Sequence, residues 1–346
     1  MKWRHYVLFY LLVLIAFFRT VPGGWRFYTQ HIYPVIGSIL SPISGWFPFA
    51  VGDIFIACSI AWCILYLNKR SKAAFGRVLE YLLWVYAWFY LAWGLNYSQP
   101  NLFKRIYMTP AEVSEVKFKA FAYRYADSLN FYSEERRMKS EESISYDSLK
   151  DKVKDAVLSG YQHIGRSEGI NEPFNNAPHA KTMVFSWLSS MAGVTGSMGP
   201  FFCEFTLNSD IRPHDYPATY AHEYAHFLGI ANEGEANFYS YLVCTASPDK
   251  DVKFSGYYHI FFHVLNNVYQ ILGKKEGDAY LKHIRPEVIQ LAKSDQKYWM
   301  DKRCKVLDEA QDFIFDLYLK GNHVEEGRKS YSGVIALILS WEEYTN

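Results

Sequence analysis

The stretch His222-Glu223-Tyr224-Ala225-His226, with Gly229 three residues on and Glu233-Gly234-Glu235-Ala236-Asn237 behind it, decides how this chain is read. Two histidines four positions apart lie about one turn apart on one face of an α-helix, so both imidazoles can reach a single ion. Glu223 follows the first histidine but points along a different line, which puts its carboxylate beside a metal-bound water and off the metal. That is the place of a general base: zinc brings the water's pKa towards neutrality and the glutamate accepts its proton. Asp215 and Pro217 are start signals for the helix that carries the motif, and Gly229 is a stop signal. The pattern predicts Zn2+ held by His222 and His226, Glu223 as base, and a third ligand from the helical run that opens at Glu233.

The order His-Glu-x-x-His, then Glu-x-x-Ala-Asn on a following helix, is similar to the third-ligand helix of several glutamate-zincin metallopeptidase families. More closely, Tyr216 to Leu242, Phe254-Ser255-Gly256-Tyr257, Tyr318-Leu319-Lys320, Ser330-Tyr331 and Trp93-Gly94-Leu95-Asn96-Tyr97 resemble the bacterial membrane family catalogued as domain of unknown function 3810. The resemblance covers most of the chain. It implies a metallopeptidase-like activity with Glu233 as ligand and Asn237 supporting a ligand histidine, and it supplies no substrate. A metzincin pattern would need His or Asp at position 232, where this chain has Asn, a poor zinc ligand.

Glu233 and Glu235 compete for the third position. Two helical positions separate them by about 200°, so only one can face the metal. With Glu233 as ligand, Asn237 falls four residues on along the same face, a small polar partner for an imidazole. Glu235 as ligand would put Tyr239 there. As a bystander, Glu235 is a first-turn carboxylate favoured by the helix dipole.

Upstream of the motif, β-branched and aromatic residues predict strands at about 182–187 and 201–207, joined through Gly193, Gly196 and Gly199. The second, with Phe202 and Glu204, is the expected edge strand for pairing with an extended substrate. Tyr257 and Tyr331 are the preferred oxyanion donors, ahead of Tyr258, His259 and His263. His179 and His214 read as surface or loop residues. Five cysteines without a Cys-x-x-Cys pair argue against a disulfide framework.

Residues 1–97 read as a membrane anchor. Apolar stretches at 6–18, 48–67 and 78–95 are set in tryptophan-rich, charge-poor sequence, and the latter two approach the length needed for a bilayer core of about 30 Å. The first lacks a small-x-small cleavage site after Arg19 and is read as an uncleaved span. Lys69, Arg70, Lys72 and Arg77 outnumber Arg19 and Arg26 in the neighbouring loop, and Lys2 and Arg4 precede the first stretch. The positive-inside rule then keeps the N-terminus in the cytoplasm and places residues 98–346 on the outer, periplasmic side of the bacterial inner membrane.

Thr109-Pro110-Ala111-Glu112 predicts a helix start running towards residue 130, Asp147 to Ile164 a second helix, and Pro286 to Leu319 a long one. The expected fold is mainly α: a three-helix transmembrane anchor followed by an α+β zincin-like domain with a small sheet. A formal net charge of +1 without a basic patch excludes nucleic acid as partner. The expected partners are the lipid bilayer and a peptide or protein substrate, and oligomeric state leaves no mark in the sequence. A zinc metallopeptidase is the function these features imply. The rivals are a catalytically silent zincin-fold sensor or scaffold, and a zinc hydrolase of a non-peptide amide. Glu223 argues against the silent form, because a purely structural metal site gains nothing from a carboxylate beside an open position.

Overall fold

The computed structural model describes residues 3–112, 114–139, 146–165, 168–174, 180–307, 309 and 333–345. The chain begins with α1 (Trp3–Thr20), a helical run ending in α2 (Tyr33–Gly45), then α3 (Val51–Leu67) and α4 (Lys72–Ala92). After α5 (Glu115–Lys139) and α6 (Tyr146–His163) come β1 (Ala180–Thr182), α7 (Ser186–Met191), β2 (Gly196–Gly199) and β3 (Glu204–Leu207). The remainder is helical: α8 (Tyr216–Phe227), α9 (Glu233–Ala246), α10 (Lys250–His259), α11 (Phe261–Asn267), α12 (Gly273–His283), α13 (Pro286–Lys302) and α14 (Gly333–Thr345). The fold is mainly helical with one three-stranded sheet, as the sequence pattern predicts.

Several boundaries differ from the sequence reading. The helix expected from Thr109 starts at Glu115, where Ser114 Oγ accepts from Lys117 N at 3.2 Å. Ala111 N is instead committed to Ser340 Oγ on α14, at 2.8 Å. The expected strand at 182–187 stops at Thr182, because the chain turns into α7. The long run from Pro286 ends as a helix at Lys302, and residues 310–319 lie outside the described residues.

The sheet order is β1-β3-β2, with β3 parallel to β1 and antiparallel to β2. Phe205 pairs with Ala180 on one side and Met198 on the other. β3 is therefore the middle strand with both ladders occupied, and cannot be the free edge expected of residues 201–207. The edge beside α8 is β2, drawn from the glycine-bearing segment that reads as a connection in sequence.

The three-span expectation is also corrected. Among the described residues one helix, α1, is both long and apolar enough to cross a bilayer; by itself that is compatible with an anchor or a signal sequence. α3 is apolar but has only 17 residues, about 25 Å of helix. α4 carries Lys72, Arg77 and Glu80 in its first half, and Glu80 pairs with Arg4 of α1 at 2.7 Å. The segment read as an external loop between the first two stretches contains α2. Its Tyr33, Gly37, Ser41 and Ser44 are buried while Val35, Ile39 and Ile43 are exposed, a one-sided helix packed on the rest of the molecule. One buried apolar cluster runs from Leu8 and Tyr33 through Phe205, Tyr224 and Phe227 to Leu339. Helices α1, α2 and α4 and the motif helix α8 thus share a core.

Candidate metal centre

The motif helix α8 has Pro217 in its first turn, where a missing N–H costs nothing. It ends at Gly229, whose φ of +97° favours glycine; a Cβ there would also lie 3.2 Å from both Asn96 Oδ1 and Tyr33 Cε1. The last carbonyls of a helix have no partner within it, and here the four from His226 to Gly229 each receive a side-chain donor. Trp93 Nε1 donates to His226 O at 2.9 Å, Tyr33 OH to Phe227 O at 2.5 Å, Asn171 Nδ2 to Leu228 O at 2.9 Å and Gln99 Nε2 to Gly229 O at 2.7 Å. Three of those donors come from the first hundred residues, so that region fixes the end of the helix that carries both histidines. Of the four, only Trp93 falls in a sequence motif; the others leave no local signal.

The next helix, α9, is started by Asn232, whose Oδ1 accepts from Glu235 N at 3.0 Å. The residue at the metzincin ligand position is therefore a helix cap. α9 brings Glu233 to the histidines: its Oε2 lies 3.1 Å from His222 Nε2 and 3.5 Å from His226 Nε2, and the two Nε2 atoms are 3.1 Å apart. Glu235 points elsewhere. Buried, it accepts from Leu102 N at 2.8 Å and pairs with Arg105 Nη2 at 2.6 Å.

Both imidazoles have their Nδ1 atoms engaged. His222 Nδ1 donates to Asn237 Oδ1 at 2.8 Å, and His226 Nδ1 to Ile230 O at 2.6 Å. Each acceptor fixes the tautomer that leaves Nε2 as a lone pair aimed at the common point. Asn237 Oδ1 also receives His259 Nε2 at 2.9 Å. His259, considered above as an oxyanion donor, thus stands behind the ligand histidine. Burial, with the charges of His222 and His263, pulls its pKa down to about 3, so it stays neutral.

The donor set fits a zinc ion. Zinc held at about 2.0–2.1 Å in tetrahedral geometry has ligand atoms about 3.3–3.4 Å apart, and the observed separations are 3.1, 3.1 and 3.5 Å. Two nitrogens and one carboxylate oxygen are the donor types of catalytic zinc sites that keep a fourth position open. Without an ion's charge between them, Glu233 and His226 titrate against each other. Burial pushes Glu233 up, but His226 and His222 outweigh it and hold the carboxyl well below its usual range. Burial pulls His226 down, and the Glu233 carboxylate more than reverses that, carrying it up to about 9.

Glu223 is buried, and among the described residues its Oε2 has no hydrogen-bond partner, an uncommon state for a buried polar atom outside functional sites. Burial raises its pKa, with His222 and His226 offsetting part of the rise. The edge strand β2 lies directly against it: a Cβ on Gly196 would sit 2.3 Å from Glu223 Oε1.

Other expected site residues lie elsewhere. Glu204 is buried, accepting from Gly52 N at 2.5 Å and pairing with Lys181 Nζ at 2.6 Å, while Lys181 also donates to Ser44 O at 2.6 Å. It ties α2 and α3 to the sheet and faces no cleft. Phe202 sits in the turn before β3, with its ring 5.6 Å from that of Phe55 on α3. Tyr257 packs among Tyr125, Tyr132 and Tyr241. Tyr331 and His179 lie outside the described residues. His214, read as a surface or loop residue, is buried with its Nε2 2.8 Å from Asp295 Oδ2. With Asp215 these two form a second group within metal-binding distance, but Arg212 and Tyr258 already donate to Asp295, which makes it an ion-paired network.

No curated protein and no solved structure matches this chain. A family model described as "Protein of unknown function (DUF3810)" matches residues 28–339, a range that holds Tyr33, Trp93, Gln99, the motif helix and α9. The chain belongs to that family.

Proposed function

We propose that this protein is a membrane-anchored, zinc-dependent hydrolase of peptide bonds, with His222, His226 and Glu233 as ligands and Glu223 as general base. The observation that carries this reading is the pairing of three convergent donors with a buried carboxylate that is not one of them and whose Oε2 has no hydrogen-bond partner among the described residues. A bound zinc ion would supply Lewis acidity, lowering the pKa of a water and polarising a carbonyl. Glu223 would take the proton of the attacking water and deliver it to the leaving amine, a role favoured by a carboxyl whose pKa burial brings nearer to neutrality. Asn237 and Ile230 O hold the ligand imidazoles in register. An extended peptide would add to the free edge of β2, whose glycines at 196 and 199 admit a close backbone approach beside Glu223.

In this reading α1 crosses the bilayer, with Lys2 and Arg4 keeping the N-terminus inside and the metal centre outside. The apolar faces of α3 and α4, including exposed Ile56, Ile60, Ile64, Leu79 and Leu83, lie against lipid, since so continuous an apolar surface is costly in water. The test is a peptide-library digest by the detergent-solubilised full chain, read by mass spectrometry. Cleavage abolished by a chelator and restored by zinc supports the reading; products unaffected by chelation contradict it.

A further inference from the structure

A cavity of about 830 Å³ opens between α1, the turn that follows it, and the stretch after α4. Leu12, Ile15 and Ala16 of α1 and Tyr86 of α4 form one side, and Arg19 and Gln99 supply polar groups at the other. This is ample for a drug-sized or lipid-sized ligand, since such pockets span about 300–1,000 Å³. Among the described residues, Arg19 is the only formally charged one lining it. The chain has no aspartate or glutamate before Asp53, and none from Tyr81 to Ala111; of the other arginines near these segments, Arg4 and Arg105 are paired with Glu80 and Glu235. Arg19 is half-buried with its guanidinium over the Tyr90 ring, 5.2 Å from the centroid, and no carboxylate pairs with it among the described residues. An apolar trough ending in an arginine, at the end of the one helix among the described residues long and apolar enough to cross a bilayer, matches an amphiphile with an anionic head.

We propose that this cavity binds an anionic phospholipid of the bilayer, its phosphate on Arg19 and its acyl chains along Leu12, Ile15 and Ala16. The inference rests on the reading of α1 as a membrane helix. Binding there reaches the metal centre through one residue. Gln99 lines the cavity and donates to Gly229 O at 2.7 Å, at the turn leading to Ile230, whose carbonyl orients His226. Lipid packed against Gln99 steadies that turn and strengthens metal retention.

Native mass spectrometry of the full-length, detergent-solubilised protein tests the site, with phosphatidylglycerol, phosphatidylcholine and inorganic phosphate as probes. Both headgroups carry a phosphate, but the choline cation of phosphatidylcholine offsets its charge and is repelled by Arg19, so phosphatidylglycerol is expected to bind about tenfold more tightly. Arg19→Gln removes that preference, Ala16→Trp reduces binding of both lipids by filling the trough, and Lys274→Gln, a charge loss on distant α12, changes neither. In the wild type and in Lys274→Gln, but not in Arg19→Gln, phosphatidylglycerol slows zinc loss to a chelator. Equal binding of the two lipids, or a preference that survives Arg19→Gln, overturns the site. Complete displacement of lipid by inorganic phosphate identifies a free-anion site and overturns phospholipid as the occupant. Zinc loss insensitive to lipid overturns the coupling. Alkaline carbonate extraction of native membranes separates the two failures. A released chain removes the bilayer reading and this proposal with it, whereas a retained chain without lipid preference removes this proposal alone.

Discussion

Glu233 and Glu235 sit two residues apart in the first turn of one helix and serve opposite sides of it: Glu233 Oε2 is 3.1 Å from His222 Nε2, while Glu235 Oε2 is 2.6 Å from Arg105 Nη2. A helix turned by about 200° between them allows no sharing of roles. Glu233→Ala is expected to lose most bound zinc with little change in thermal stability of the metal-free chain. Glu235→Ala is expected to keep zinc when folded but to lose about 3–5 kcal/mol of stability, because Arg105 is left buried without its partner. Zinc analysis with denaturant titration of both variants checks this, and the opposite pattern would reverse the assignment.

Asn237 Oδ1 takes hydrogen bonds from both His222 and His259. Asn237→Ala therefore frees the His222 ring and leaves His259 unpartnered, and should weaken zinc binding by about 10–100-fold, the usual cost of losing such a support. Competition against a fluorescent chelator measures it; unchanged affinity would remove Asn237 from the site.

Gly196 is needed for space, since a Cβ there would stand 2.3 Å from Glu223 Oε1. Gly196→Ala should displace the carboxylate and lower kcat by about 10²-fold while zinc content stays at the wild-type level. A variant as active as the wild type would show that β2 does not confine Glu223.

Asp295 is held below the usual carboxylate range: burial raises its pKa, but His214, Tyr258 and Arg212 outweigh it. A carboxyl whose pKa is depressed on folding adds stability above its unfolded value, about 3.9, and loses it as pH falls through that value towards the folded one. Thermal unfolding followed from pH 6 downwards should therefore show a fall below about pH 4 that is smaller in Asp295→Asn. Identical slopes in the two proteins would contradict the assignment.

The sequence shows what is local and hides what is long-range. Two histidines at helical spacing, and an Asn four residues after a Glu, can be read from periodicity because a helix turns neighbours in sequence into neighbours in space. The overall helical content and the existence of a small sheet are readable for the same reason. β2 was hidden because Gly196-Ser197-Met198-Gly199 has no strand signature of its own; its pairing with β3 supplies the structure. Glu204 looked free to face a cleft because its partners, Gly52 N and Lys181, are 152 and 23 residues away. The donors on the end of α8 illustrate the point most fully: Tyr33 and Trp93 lie 194 and 133 residues from the carbonyls they cap. Apolar character alone also exaggerated the anchor, since length in α3 and charge in α4 become apparent only once the helix ends are known.

The central claim, that Glu223 is a base beside a zinc ion and not a ligand to it, is tested most directly by purifying the wild type and Glu223→Gln side by side and measuring zinc content and peptide turnover on the same samples. The amide keeps size and shape but cannot take a proton, so the account predicts equal zinc in both and a fall in turnover of about 10²–10⁴-fold in the variant. Turnover unchanged in Glu223→Gln, or zinc lost from it, would contradict the account.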